Sequence, residues 1–132
     1  MPNPSQLIVV ESEPYLQVIL EAALGDSATV NYASTGAQCL SGLGQSAAIF
    51  IDLLLEDVDG LSLVERIRLQ NREVPIIAFV AQTEIGSLNI EEAATRSMAE
   101  KSGADAVFFA PFNLGEILHT TSRILQPVAA TA

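Results

Sequence analysis

AAIFIDLLLEDVDGLSLVERIR, residues 47–68, changes apolar rhythm once, and that change decides the fold. AAIFID runs apolar without alternation up to Asp52, as a strand buried on both sheet faces does. EDVDG then reads as a loop with a turn-forming Asp-Gly pair. Leu61, Val64 and Ile67 follow at helical spacing. The stretch is strand, loop and helix, with an acid closing the strand.

The same rhythm continues on both sides. Upstream, LIVV (residues 7–10) predicts a buried strand, and after Pro14 a helix carries Leu16, Ile19, Leu20, Ala23 and Leu24 until Gly25 stops it. ATVNYA (28–33) predicts a second strand, and a Gly-containing helix runs from about Ser34 to Leu43. Downstream, Pro75 introduces the strand IIAFVA, followed by the linker QTEIGSL. Asn89 and Glu92 form a capping-box-like start, Ile90, Ala93, Ala94 and Met98 supply a buried stripe, and Gly103 ends that helix. AVFFA (106–110) is the fifth strand. Asn113 and Glu116 repeat the cap, ahead of a face made by Leu114, Ile117, Leu118, Thr121, Ile124 and Leu125. Five strands alternating with five helices imply an α/β fold, a doubly wound parallel sheet covered on both faces. Residues 1–126 read as a single domain, and 127–132 as a frayed tail.

Composition narrows the function. The chain has 132 residues, 49% hydrophobic and 17% charged, which excludes a disordered tail. No run is apolar enough for a membrane span, and MPNPSQ carries no basic side chain ahead of an apolar run, so a soluble, cytoplasmic protein is expected. A net charge of −10 repels phosphate backbones, so direct nucleic-acid binding is not expected. Cys39 is the one cysteine, which excludes an intrachain disulfide, and His119 is the one histidine, read as a surface or boundary residue.

In such a sheet, ligands gather at the carboxyl ends of the strands. Those positions carry Glu11, Ser12 and Glu13 after the first strand, Asp52 after the third, Val80, Ala81 and Gln82 after the fourth, and Ala110 and Pro111 after the fifth. The acids suit a hard cation such as Mg²⁺, or they serve helix dipoles, and Ser12 suits a helix cap. The glycines form no phosphate-cradling loop.

The segment IDLLLEDVDGLSLVERIR closely resembles the phosphoacceptor segment of response-regulator receiver domains, with Asp52 seven residues before Asp59-Gly60. LIVVESEP, VPIIAFVA and GADAVFFAPF resemble the family's first, fourth and fifth strands in the right order. The resemblance implies strand order 2-1-3-4-5, Asp52 as phosphoacceptor, and a weak Mg²⁺ site from Glu11, Asp52 and the main-chain carbonyl of Leu54. It also marks departures. Ser12 stands where a second acid ligates the metal, Val80 where a hydroxyl holds the phosphoryl group, and Ala110 where a lysine precedes Pro-Phe. Val107 stands at the aromatic switch position and Glu56 at a usual proline. The link from the fourth to the fifth strand is about two helical turns longer than is typical of the family.

The resemblance therefore implies a signal-transduction receiver of the two-component type with a degenerate pocket, acting by protein–protein contact around the fourth helix, fifth strand and fifth helix. Partners would include a histidine kinase or phosphotransfer protein, and homodimerisation is compatible with the pattern. No enzyme activity is expected beyond self-phosphorylation at Asp52 from a phosphodonor. An active phosphoacceptor is the alternative, and a flavodoxin-like small-ligand binder a distant one.

Overall fold

The computed structural model describes residues 5–11, 15–44, 46–53, 59–80, 89–110 and 112–125. The chain alternates β1 (Ser5–Val10), α1 (Leu16–Leu24), β2 (Ala28–Ala33), α2 (Gly36–Ser41), β3 (Ala48–Asp52), α3 (Gly60–Gln70), β4 (Ile76–Val80), α4 (Asn89–Ser102), β5 (Ala106–Phe109) and α5 (Leu114–Leu125). The five strands form one sheet in the order β2-β1-β3-β4-β5, and every pairing is parallel. This is the doubly wound arrangement that the apolar rhythm predicts. Among the described residues no helix is long and apolar enough to cross a membrane.

Period-two side-chain alternation splits each strand between two cores. Ile8, Val10, Ile49, Ile51, Ala78 and Val107 meet Cys39 of α2, Leu63, Val64 and Ile67 of α3, and Ala99 of α4. Leu7, Val9, Phe50, Ile77 and Phe79 point the other way, onto Leu16 and Leu20 of α1 and Ile117 of α5. Both faces are covered, so an unbroken apolar run such as LIVV is buried throughout.

At the amino-terminal edge of the sheet, Arg68 ties three segments together. Its Nε and Nη2 donate to the Gly103 carbonyl at 3.0 and 2.8 Å, and Nη1 donates to the Val74 carbonyl at 2.6 Å. Nη2 also pairs with Asp105 Oδ2 at 3.0 Å, an oxygen that accepts the Ile76 amide as well. Gly103 has φ +124°, and a Cβ there would lie 2.7 Å from Arg68 Cγ. Glycine is therefore required twice over, by the backbone and by the guanidinium stem.

Several expectations need correction. The stripe Ala93, Ala94 and Met98 faces solvent, Met98 being 53% exposed, while Ile90 lies outside the residues whose side chains are described. Ala99 is fully buried instead, because Arg96 reaches across to the Val107 carbonyl and turns that flank of α4 toward β5. Leu114, placed on the buried face of α5, is 49% exposed, since it lies in the helix's first turn beyond the sheet edge. α2 is shorter than the predicted 34–43, Thr35 capping it by accepting the Gln38 amide. Gly60 opens α3 rather than sitting in a turn, and a Cβ there would come 2.4 Å from the Leu53 Cα. Residues 127–132, read as a frayed tail, lie outside the described residues.

Three outcomes follow. Arg68→Ala leaves several inward carbonyls without donors and is expected to cost about 2–4 kcal/mol in urea unfolding. Burial pushes the Cys39 thiol from its ordinary 9.0 up to about 12. The folded chain then holds a proton that the unfolded chain releases, so stability should fall as pH rises from 9 toward 12. Below pH 9.0, a thiol reagent should label Cys39 only as fast as the protein opens.

Candidate functional site

The carboxyl ends of the strands assemble one site. Register pairs Val10 with Ile51 and Asp52 with Phe79, so Glu11 and Asp52 leave neighbouring strands side by side. The Leu53 amide bonds the Phe79 carbonyl at 2.9 Å, and the Ala110 amide bonds the Val80 carbonyl at 3.0 Å. These bonds carry the parallel ladder one step past the strands and fix the backbone around Asp52. The close approach of Gly60 to Leu53 seats the amino terminus of α3 against the same turn. Asp59 caps that helix, its Oδ1 accepting the Leu61 amide at 3.4 Å.

Glu11 is 1% exposed, and every part of it is engaged. Its Oε1 accepts the Leu16 amide at 2.7 Å and its Oε2 accepts the Gln17 amide at 2.8 Å. Its own amide donates to the Ala33 carbonyl at 3.1 Å, and its carbonyl accepts the Tyr32 hydroxyl at 2.8 Å. The carboxylate thus satisfies two of the unpaired amides at the start of α1 and meets the positive end of the helix dipole. This is the capping role that the sequence assigns to Ser12, a residue that lies outside those described, as does Leu54.

Asp52 is half-buried at the end of β3. Val80, also half-buried, brings a carbonyl and two methyl groups, and no hydroxyl. Ala110 brings a methyl group. Lys101, the only lysine, is exposed in the last turn of α4, beside the amino-terminal edge of the sheet and away from Asp52. Phe112, after the strand five end, packs edge-on against Phe79 at 5.4 Å and tilts toward Tyr15 at 6.0 Å. It wedges the β5–α5 connection against β4 and α1. Asn113 caps α5 by accepting the Glu116 amide at 3.0 Å, as the sequence predicts. His119 is exposed on α5.

Sequence reasoning missed Tyr32 and Arg96. Tyr32 lies next to the end of β2, where a hydroxyl can reach across to the β1 end. Arg96 lies on α4 four residues after Glu92, and its Nη1 donates to the Val107 carbonyl at 2.8 Å. Val107 itself is buried in the core.

The Glu11 bonds generate a prediction. Glu11→Ala removes two charge-assisted bonds and is expected to cost about 2–4 kcal/mol, read from the shift of the urea midpoint. Tyr32→Phe loses one neutral bond and should cost about 0.5–1.5 kcal/mol. Equal stability of Glu11→Ala and wild type would contradict the capping role.

Comparison with known proteins agrees with this geometry. The response regulator receiver domain model matches residues 7–122. The transcriptional regulatory protein TcrA of Mycobacterium tuberculosis is 27% identical over 115 residues, covering 85% of this chain and 42% of its own length. The transcriptional regulatory protein SrrA of Staphylococcus aureus is 25% identical over 130 residues, 96% of this chain and 50% of its own. The chain thus spans about half the length of these curated relatives or less. The chemotaxis response regulator CheY4 of Vibrio cholerae has the same fold, with a TM-score of 0.74 at 20% identity over 92% of this chain and 99% of that one. Strand order, the acid closing β3 and the family match over most of the chain lead to one conclusion: this chain belongs to the response regulator receiver domain family.

Proposed function

We propose that this two-component receiver domain acts chiefly by protein–protein contact, with a degenerate acceptor pocket that gives weak or no phosphorylation-dependent switching. The observation that carries this reading is the state of the strand ends. Glu11 is committed to α1 by both carboxylate oxygens, and Val80 and Ala110 offer Asp52 neither hydroxyl nor ammonium.

Magnitudes support the reading. A hydrogen bond to a charged group contributes about 1.5–3 kcal/mol and a neutral one about 0.5–1.5 kcal/mol. Lacking the ammonium and the hydroxyl therefore removes roughly 2–4.5 kcal/mol of preference for a phosphorylated arrangement. Moving a two-state equilibrium from 1:99 to 99:1 needs about 5.5 kcal/mol. A large part of that drive is missing.

The family also implies Mg²⁺, which prefers several oxygen ligands in near-octahedral geometry. Glu11 does not fit that use, because a buried carboxylate bound by two amides would have to abandon the helix terminus to reach a cation. We therefore read Glu11 as a cap and Asp52 as the acid on which any weak cation binding would centre. Leu54, the other candidate ligand, and Ser12, which stands where the family has a second acid, lie outside the described residues.

One observation favours a second reading, an active phosphoacceptor served by a histidine kinase or phosphotransfer protein. Asp52 closes β3 at the strand ends, held by backbone bonds on both sides of the turn. In that reading its carboxylate oxygen attacks a phosphodonor, and the donor's leaving group takes the bonding electrons. No turnover enzyme activity is proposed in either case. The α4–β5–α5 face is read as the partner surface, and the domain as a cytoplasmic protein of residues 1–126.

Asp52→Asn separates the two readings. Intact-mass measurement after incubation with acetyl phosphate should show little or no phosphoryl adduct on wild type, and partner capture should be unchanged in Asp52→Asn. A stoichiometric adduct absent from the variant, together with lost capture, would establish the second reading instead.

A further inference from the structure

Between α4, β5 and the start of α5 lies a cleft of about 450 Å³, within the size range of ligand sites. Val107 and Phe109 of β5, Glu92 and Arg96 of α4, and Asn113 and Glu116 at the start of α5 line it. The cleft already shows which chemistry it accepts. The Arg96 guanidinium sits 5.1 Å from the centre of the Phe109 ring and donates to the Val107 carbonyl at the open edge of the sheet. A cation over an aromatic face, bonded to an edge carbonyl, is a stable arrangement there. Arg96 does not balance the cleft's charge. Glu92 and Glu116 are both exposed, and among the described residues the one ion pair is Arg68–Asp105, at the opposite end of the sheet.

We propose that this cleft receives an arginine or lysine side chain from a basic, partly apolar segment of a different protein. The inference rests on the reading of the α4–β5–α5 face as the partner surface, and it names that partner's chemistry. One guanidinium faces two carboxylates, which leaves the cleft negative on a chain whose net charge is −10. A second cation entering above Arg96 gains both glutamates and the polar side chain of Asn113, while its neighbouring apolar residues cover Phe109. A second copy of this chain is the poorer occupant, because two molecules of charge −10 repel on approach. Electrostatic complementarity of this kind steers encounter and selects partners by sign.

The test is an NMR titration of the whole chain with a short amidated peptide in which arginines alternate with leucines. Its twin carries citrulline, which keeps the shape and removes the charge. The arginine peptide is expected to shift the amides of Val107 to Ala110 and the Arg96 Nε signal, and the citrulline peptide is not. Glu92→Gln with Glu116→Gln should weaken binding about tenfold, the loss of roughly one charge-assisted bond. Glu21→Gln with Glu65→Gln removes equal charge elsewhere and should leave binding unchanged.

Equal binding of the citrulline peptide would overturn the proposal, and so would equal losses in the two double variants, which mean diffuse attraction only. Absence of any shift at the cleft overturns it too. Partner capture by wild type and Asp52→Asn is read separately. If capture survives and is blocked by Phe109→Ala while the peptide fails, the face is a partner surface without a cation seat.

Discussion

Two hydrogen bonds from the first turn of α1 to the carboxylate of Glu11 set the terms for the rest of the site. An acid at the end of a buried strand has few affordable partners, because an unpaired charge in an apolar setting is costly. The start of α1 supplies two amides and the positive end of a dipole within reach. The Tyr32 hydroxyl and the Ala33 carbonyl hold the same residue from β2. β1, β2 and α1 are therefore joined through one residue, whose backbone meets β2, whose carboxylate meets α1 and which is closed to solvent. Among the described residues the strand ends also bring Asp52, with Val80 and Ala110 as apolar positions.

Two arginines secure the sheet by bonding main-chain carbonyls. At the amino-terminal edge, Arg68 gathers carbonyls from two segments and pairs with Asp105, which in turn holds the first amide of β4. Among the described residues a second arginine, Arg96, bonds the edge strand and keeps α4 against β5. Both guanidiniums satisfy carbonyls that the ladder leaves free. The planar fork of arginine suits this better than a lysine ammonium would.

Much of the fold was legible because the strands are buried on both faces. Continuous runs such as LIVV and IIAFV leave no ambiguity about burial, and Gly25 and Gly103 sit at positive φ where their helices end. The α4 stripe was misread because spacing alone does not fix the rotation of a helix with weak apolar contrast. There, one hydrogen bond from Arg96 decides which flank faces the sheet. The Asp-Gly pair was legible as a boundary, but its cause was not: the glycine is needed for the approach of α3 to Leu53, a contact between segments. At the site, Asp52, Val80 and Ala110 could be read from position along each strand. The engagement of Glu11 could not, because it depends on where α1 begins in space and on a tyrosine from another strand.

The most direct measurement is an NMR titration of wild type and Asp52→Asn with Mg²⁺ and beryllofluoride, a mimic of a phosphorylated aspartate. The account predicts no saturable shifts near Asp52 and none transmitted to β5, with the amides of Leu16 and Gln17 unmoved. Saturable shifts at Asp52 that spread to Val107 and disappear in the variant would contradict it, and moved amides of Leu16 and Gln17 would show that Glu11 leaves α1 when the site is charged.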